Sequence, residues 1–211
     1  MIKKAICSVL QNSVVETEII VVDGGSEDET VELATTHART ISGPRGRGEQ
    51  MNLGAAHVGG DVLVFLHADT QLHAGYLSEM LRTLADPTVA GGCAPIIFDV
   101  PHRILSLYSW FSRTRFRFFH FGDGAIFVRR NVFEQLGGFH SIPIMEDLDF
   151  LRRMRRTGKV VLLTNPVLTS SRRFVRRGIV INQLCNIILV VLFLFGVSPH
   201  YLARWYPDER K

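Results

Sequence analysis

The apolar positions of this chain fall into short continuous runs separated by amphipathic stretches and polar turns. Ile19-Ile20-Val21-Val22 ends in Asp23-Gly24-Gly25-Ser26, and Val62-Leu63-Val64-Phe65-Leu66 ends in His67-Ala68-Asp69. Unbroken runs of that length predict strands buried on both faces, here Glu18 to Val22 and Asp61 to Leu66. Helical spacing predicts helices over Ile2 to Leu10, Ser26 to His37, Glu49 to Val58, Gly75 to Ala85, Asn131 to Leu136 and Glu146 to Thr157. Ser26 is the expected N-cap of the second of these, with Glu29 as its capping-box partner. Ala38 to Ile41, Ala125 to Val128 and Lys159 to Leu163 read as further strands, Ala90 to Val100 as extended, and residues 103–121 as helix and loop. The alternation predicts an α/β protein with a mixed, mostly parallel sheet flanked by helices. The chain opens on a helix where such a domain is expected to open on a strand, so a first strand is missing from this pattern.

Composition narrows the picture. A length of 211 residues suits one domain with a substantial core, and 46% apolar with 21% charged residues argues against disorder. The net charge of +4 is modest but unevenly placed. Arg172, Arg173, Arg176 and Arg177 precede the longest apolar stretch, and Arg113, Arg115 and Arg117 interleave with Phe111, Phe116, Phe118 and Phe119. Such basic and aromatic mixtures suit a phosphorylated substrate or an anionic membrane surface. Nucleic acid ranks last, because no zinc-finger spacing or RNA-binding motif accompanies them. Cys7, Cys93 and Cys185 lie far apart in apolar contexts, which predicts reduced, buried thiols in a cytoplasmic protein. Lys3-Lys4 leads into a short mixed helix with no signal-peptide core.

The candidate chemistry is acidic. Asp23 and Asp69 each stand where an apolar run turns polar, which in an α/β sheet is the carboxyl edge where ligands bind. Gly24 and Gly25 allow a sharp turn and a close backbone approach, and the helix after Ser26 offers free N–H groups. A plain strand-to-helix turn with a capping Ser explains Ser26 as well, but explains Asp23 less. Asp69 suits Mg²⁺ or Mn²⁺, hard cations that prefer oxygen and bridge to phosphates, or it caps the next element. His67 is a ligand, a supporting donor or a packed residue. Gly43-Pro44-Arg45-Gly46-Arg47-Gly48 matches neither a Walker loop nor the dinucleotide fingerprint, though Arg45 or Arg47 offers charge for a diphosphate. Glu146-Asp147 opens a helix, where the dipole favours anions whether or not one of them is a base.

In order along the chain, these segments resemble the family 2 glycosyltransferases, which have the nucleotide-diphospho-sugar transferase (GT-A) fold. Val21 to Thr30 is similar to that family's VVDDGSxDxT segment, Arg47 to Gly54 to its xGxxxARNxG helix, Gly60 to Asp69 to its strand and DxD motif, and Glu146-Asp147 to its ED motif. The resemblance covers roughly residues 1–170. His67 to Thr70, Phe121 to Phe127 and Gly196 to Pro199 further resemble a small bacterial subgroup labelled arsenosugar-biosynthesis-type glycosyltransferases.

The resemblance implies a metal-dependent, inverting transfer of a sugar from a nucleotide-diphospho-sugar donor to the hydroxyl of an unknown acceptor. It implies Asp147, with Glu146 beside it, as the base. Asp23, Gly24, Ser26, Arg47 and Asp69 then face the donor nucleotide, and Asp69 holds Mg²⁺ or Mn²⁺, with His67 as a second candidate ligand. His67 stands where the family carries the first DxD acid. Members also open on the strand that is missing here. A nucleotidyltransferase of the same fold and a non-catalytic donor-binding protein at a membrane are the rival readings.

Residues 1–175 are expected to form the catalytic domain, and 176–211 an apolar helix and tail. Ile179 to Val197 carries Asn182, Gln183 and Asn186 in its first half, and four arginines precede it. It reads as a helix at the cytoplasmic face of a membrane. A transmembrane span and a packed helix, including one at a homodimer interface, are the alternatives.

Overall fold

The computed structural model describes residues 1–113, 124–172, 174 and 178–206. Arg115, Arg117, Phe116, Phe118, Phe119, the segment Phe121 to Asp123, and Arg173, Arg176 and Arg177 lie outside the described residues. The chain begins with α1 (Ile2–Asn12), β1 (Ile20–Asp23), α2 (Thr30–Thr35), β2 (Arg39–Ser42), α3 (Arg47–Ala56) and β3 (Val62–Phe65). It continues through β4 (Thr70–Leu72), α4 (Tyr76–Leu84), β5 (Val89–Cys93), β6 (Ile96–Phe98) and α5 (Arg103–Ser112). It then runs through β7 (Ile126–Arg129), α6 (Arg130–Gln135), α7 (Glu146–Met154), β8 (Lys159–Leu162) and β9 (Val167–Thr169), to end with α8 (Ile179–Leu194) and α9 (Pro199–Leu202).

The strands form three groups. β1 pairs in parallel with β2, the central sheet has the order β3-β7-β5-β8, and a small sheet has the order β4-β9-β6. β7 runs against both of its neighbours, whereas β5 runs parallel to β8. The mixed sheet follows from that inserted strand. The extended segment at 90–100 divides into β5 and β6 because the chain turns at Ala94 and Pro95, placing each half in a different sheet.

Packing in the central sheet depends on missing side chains as much as on present ones. A Cβ at Gly91 would fall 2.3 Å from the Phe127 carbonyl oxygen, and one at Gly92 only 2.1 Å from that of Val161. The two glycines let β7 and β8 close on β5. One core cluster unites Leu63, Ile126, Val128, Phe133, Phe139 and Phe150 on one side of the sheet, while a second gathers Leu72, Tyr76, Met80, Ile96 and Phe127.

Two helices join the β1–β2 pair to the central sheet. From α1, Ile2 and Ile6 pack with Val21, while Val9 packs against the cluster that holds Leu72, Tyr76 and Phe127. From α3, Gly54 lies against Val22, and Ala55 enters the cluster that holds Leu63. Among the described residues β1 pairs with β2 alone and β3 with β7 alone.

Two expectations change here. The second helix is only six residues, Thr30–Thr35, and Ser26 is not its N-cap; Glu29 holds that position without a side-chain cap bond. The cause is Asp23, whose carboxylate draws the Ser26 N–H into a turn. Of the three free cysteines only Cys93 is buried, while Cys185 is exposed. Burial among apolar groups pushes the Cys93 thiol up to about 12.

Candidate active site

The N-terminus of α3 is the hub of the site. Its position is set by contacts to two other segments. Gly48 touches the 139–141 loop so closely that a Cβ there would lie 2.7 Å from the His140 carbonyl oxygen. One turn on, the Asn52 amide donates to the Phe139 carbonyl at 2.8 Å, and its oxygen accepts the Phe139 N–H at 2.8 Å. On the other side, Gly24 lies against Gln50, where a Cβ would meet Nε2 at 2.1 Å. Arg47 therefore starts a helix clamped between the turn after β1 and the loop that leads to α7.

That loop delivers the acids. Met145 takes a left-handed conformation (φ 68°) and Glu146 and Asp147 follow as the first residues of α7. A non-glycine residue held there stores backbone strain, which persists only where the surroundings enforce it. Arg153 supplies part of that enforcement: it bonds Asp149 at 2.8 Å and the carbonyls of Leu136 and Gly138 at 2.9 and 2.8 Å. His140 approaches Asp149 at 2.9 Å from the same loop.

Glu146 and Asp147 are both buried, with Glu146 2% exposed. The Arg47 guanidinium stands 3.7 Å from Glu146 Oε1, and His67 Nε2 stands 3.9 Å from Asp147 Oδ2. Burial, reinforced by the neighbouring Asp147 carboxylate, pushes the Glu146 carboxyl up to about 7 against the opposing pull of Arg47. Holding the Glu146 proton avoids a second negative charge out of water beside Asp147. The fold brings Arg47, His67, Glu146 and Asp147 together from three distant segments.

The remaining candidates lie around this group. Asp23 ends β1 and its carboxylate accepts the N–H groups of Gly25 at 2.9 Å and Ser26 at 3.1 Å. The hydrogen bond from the Ser26 side chain, followed by those backbone N–H groups, outweighs partial burial and lowers its pKa. Asp23 therefore shapes the Gly24–Ser26 turn from within, so that Ser26 and Asp23 act on one another. Asp69 is exposed and follows β3 in a tight turn closed by the Thr70 N–H to the His67 carbonyl at 3.0 Å. Buried Thr70 anchors that turn through the Thr169 hydroxyl at 3.1 Å.

A divalent cation is compatible with this donor set in one form. No group of three His, Cys, Asp or Glu side chains among the described residues converges as a metal cage. Asp69 offers one accessible carboxylate at the edge of the site, which fits a hard cation completed by water and phosphate oxygens. His67 Nε2 faces Asp147 Oδ2 at 3.9 Å, within ionic range but beyond a direct hydrogen bond.

These residues stand out in the sequence, but their pairing does not. Neither the Arg47–Glu146 and His67–Asp147 contacts nor the Asn52 clamp has a local signature, because each joins residues 80 or more positions apart. Met145 carries no signal at all. The polar Asn52 within the α3 pattern was the one available hint.

The architecture and the order of its parts define an α/β protein of the GT-A fold class. Residues 1–140 match the family described as Glycosyl transferase family 2, and the chain belongs to that family. No curated protein sequence matches it. Among solved structures, residues 1–349 of TarS from S. aureus superpose with a TM-score of 0.60 at 15% identity, covering 90% of this chain and 61% of that one. A longer TarS structure gives 0.64 at 13% identity, covering 95% and 39%. The mannosyltransferase PcManGT from Pyrobaculum calidifontis, in complex with GDP-Man and Mn²⁺, gives 0.57 at 19% identity, covering 80% and 52%. At these identities the likeness is one of fold, and the chain spans between 39% and 61% of the chains in those structures.

Proposed function

We propose that the chain is a metal-dependent inverting glycosyltransferase that uses a nucleotide-diphospho-sugar donor. The observation that carries the reading is the buried Glu146–Asp147 pair at the start of α7, held between Arg47 and His67 in a chain of this family. In this scheme Asp147 accepts the proton of the acceptor hydroxyl as that oxygen attacks the anomeric carbon. The bond from that carbon to the diphosphate breaks on the opposite side, so the configuration inverts. His67 steadies the Asp147 carboxylate, and Glu146 holds Arg47 at the α3 N-terminus, where positive charge faces an incoming diphosphate. Asp23, Gly24 and Ser26 form the turn against which the nucleotide rests. Asp69 would hold Mg²⁺ or Mn²⁺. When bound, the ion supplies charge neutralisation of the departing diphosphate. GDP-Man and Mn²⁺ in PcManGT make a nucleotide-sugar and a divalent metal natural first probes.

The deciding experiment compares the wild type with Asp147→Asn in donor turnover, with and without Mn²⁺, alongside donor binding. The expected result is metal-dependent turnover that falls by at least about a hundredfold in the variant while binding persists. Turnover that survives Asp147→Asn would remove Asp147 from the mechanism.

A further inference from the structure

The helix α8 is apolar on its outer face as well as on its inner one. Its polar residues face the body: Asn182 is 4% exposed, and Asn182 Nδ2 and Gln183 Oε1 are both buried with no hydrogen-bond partner among the described residues. Its outward stripe is apolar along its whole length. Val180, Ile181, Leu184, Ile188 and Val191 recur at helical spacing and are each 43% or more exposed, and Phe195 beyond the helix end is 85% exposed. A surface helix ordinarily shows the reverse arrangement.

The neighbouring helices extend the same surface. α8 packs on α5 and on α9. From α5, Leu107 and Trp110 are 54% and 59% exposed, and Trp205, just after α9, is 64% exposed. An open groove of about 300 Å³ between β6 and α5, lined in part by Phe98, Leu105, Trp110 and Arg113, adjoins them. The chain's two tryptophans are thus both exposed on, or just after, helices that pack against α8. Exposed apolar side chains gathered on helices packed against one another mark an interaction surface.

Charge identifies the partner. Arg103 opens α5, Arg113 follows it and Arg204 follows α9, and all three are exposed. α5, α8 and α9 contain no acid, and residues 150–207 contain neither Asp nor Glu. A second copy docked on this face would set arginines against arginines. An anionic lipid surface accepts the apolar stripe, the amphipathic tryptophans and the arginines together. At 16 residues α8 is about 24 Å long, short of the roughly 30 Å of a bilayer core. No helix among the described residues is long and apolar enough to cross a membrane.

We propose that the outer face of α5, α8 and α9 is a docking surface for an anionic membrane, with α8 lying in the plane of the interface. The proposal is independent of the chemistry assigned to Asp147. The test incubates the full chain with vesicles of phosphatidylcholine alone or with about a third phosphatidylglycerol, reading co-sedimentation and tryptophan fluorescence. Expected are binding that prefers the anionic vesicles and weakens with salt, a blue shift of Trp110 and Trp205 emission, and quenching by brominated lipid. Ile181→Asn with Ile188→Asn is expected to weaken binding by at least about tenfold. Arg103→Glu and Arg204→Glu should each cost roughly fivefold on anionic vesicles. Quenching in the wild type stands without any variant. A folded protein that ignores anionic vesicles overturns the proposal. So does a dimer dissolved by the isoleucine variant with no vesicle binding, which would assign the face to a second copy.

Discussion

Glu146 is held out of water at an electrostatic cost. Its ordinary value is 4.5 and its folded value about 7, so the folded state favours the protonated acid. Stability from this group is complete below about pH 4.5 and is lost as pH rises through about 7, amounting to about 3 kcal/mol. Glu146→Gln is expected to flatten that dependence and to raise the melting temperature at pH 8 relative to the wild type. Thermal melts of both proteins from pH 5 to 8 check this, and parallel curves would refute it. Gly48 offers the opposite case. Glycine-to-alanine inside a helix ordinarily stabilises by about 1 kcal/mol. Here the new methyl would meet the His140 backbone oxygen at 2.7 Å, so Gly48→Ala is expected to destabilise by about 1–3 kcal/mol in urea titration.

Among the elements, α3 and the β1–β2 pair differ most from what their sequences alone convey. α3 is held to the 139–141 loop by both ends of the Asn52 amide. Asn52→Ala removes two hydrogen bonds and leaves the Phe139 peptide unsatisfied, an expected loss of about 2–4 kcal/mol together with reduced turnover. Asn52→Asp, which retains one acceptor, should lose less. The β1–β2 pair has two four-residue strands, and every residue of β1 is only half-buried. β7, by contrast, is buried from Ile126 to Val128. Two-stranded sheets are marginal by themselves. Amides of Val21 and Val22 are therefore expected to exchange at least about a hundredfold faster than those of Phe127 and Val128, as hydrogen exchange would measure.

For the whole molecule, the reading of a sugar-nucleotide site makes stability depend on ligand. Donor at about a hundred times its dissociation constant should add about 2.7 kcal/mol, or roughly 5–10 °C in melting temperature for a chain of this size. A thermal-shift screen with UDP-, GDP- and dTDP-sugars, with and without Mn²⁺, is expected to single out one nucleotide, and only with metal. Because Asp69 is exposed and offers a single carboxylate, metal alone should shift the melt little. Equal shifts with metal alone would point to a protein cage that this donor set does not contain.

The sequence by itself determined most of the helices and the longer strands, and their order. Strand runs such as Val62–Phe65 and the amphipathic α4 and α7 are periodic patterns, and local pattern is what a sequence carries directly. It also marked Asp23, His67, Asp69 and Glu146-Asp147, because an acid breaking an apolar run is visible without coordinates. Tertiary structure alone decided the rest. The reversal of β7, the three-residue strands β4 and β9 and the division of β5 from β6 depend on partners distant in the chain. So does the turn held by Asp23, which cost α2 its expected first turn. The pairing of Arg47 with Glu146 and His67 with Asp147 arises only when three segments close on α3. The same holds for α8: its composition said apolar, but only packing could show that Asn182 faces in and Ile181 and Ile188 face out. Burial and long-range contact are properties of the folded chain, and no window of neighbouring residues contains them.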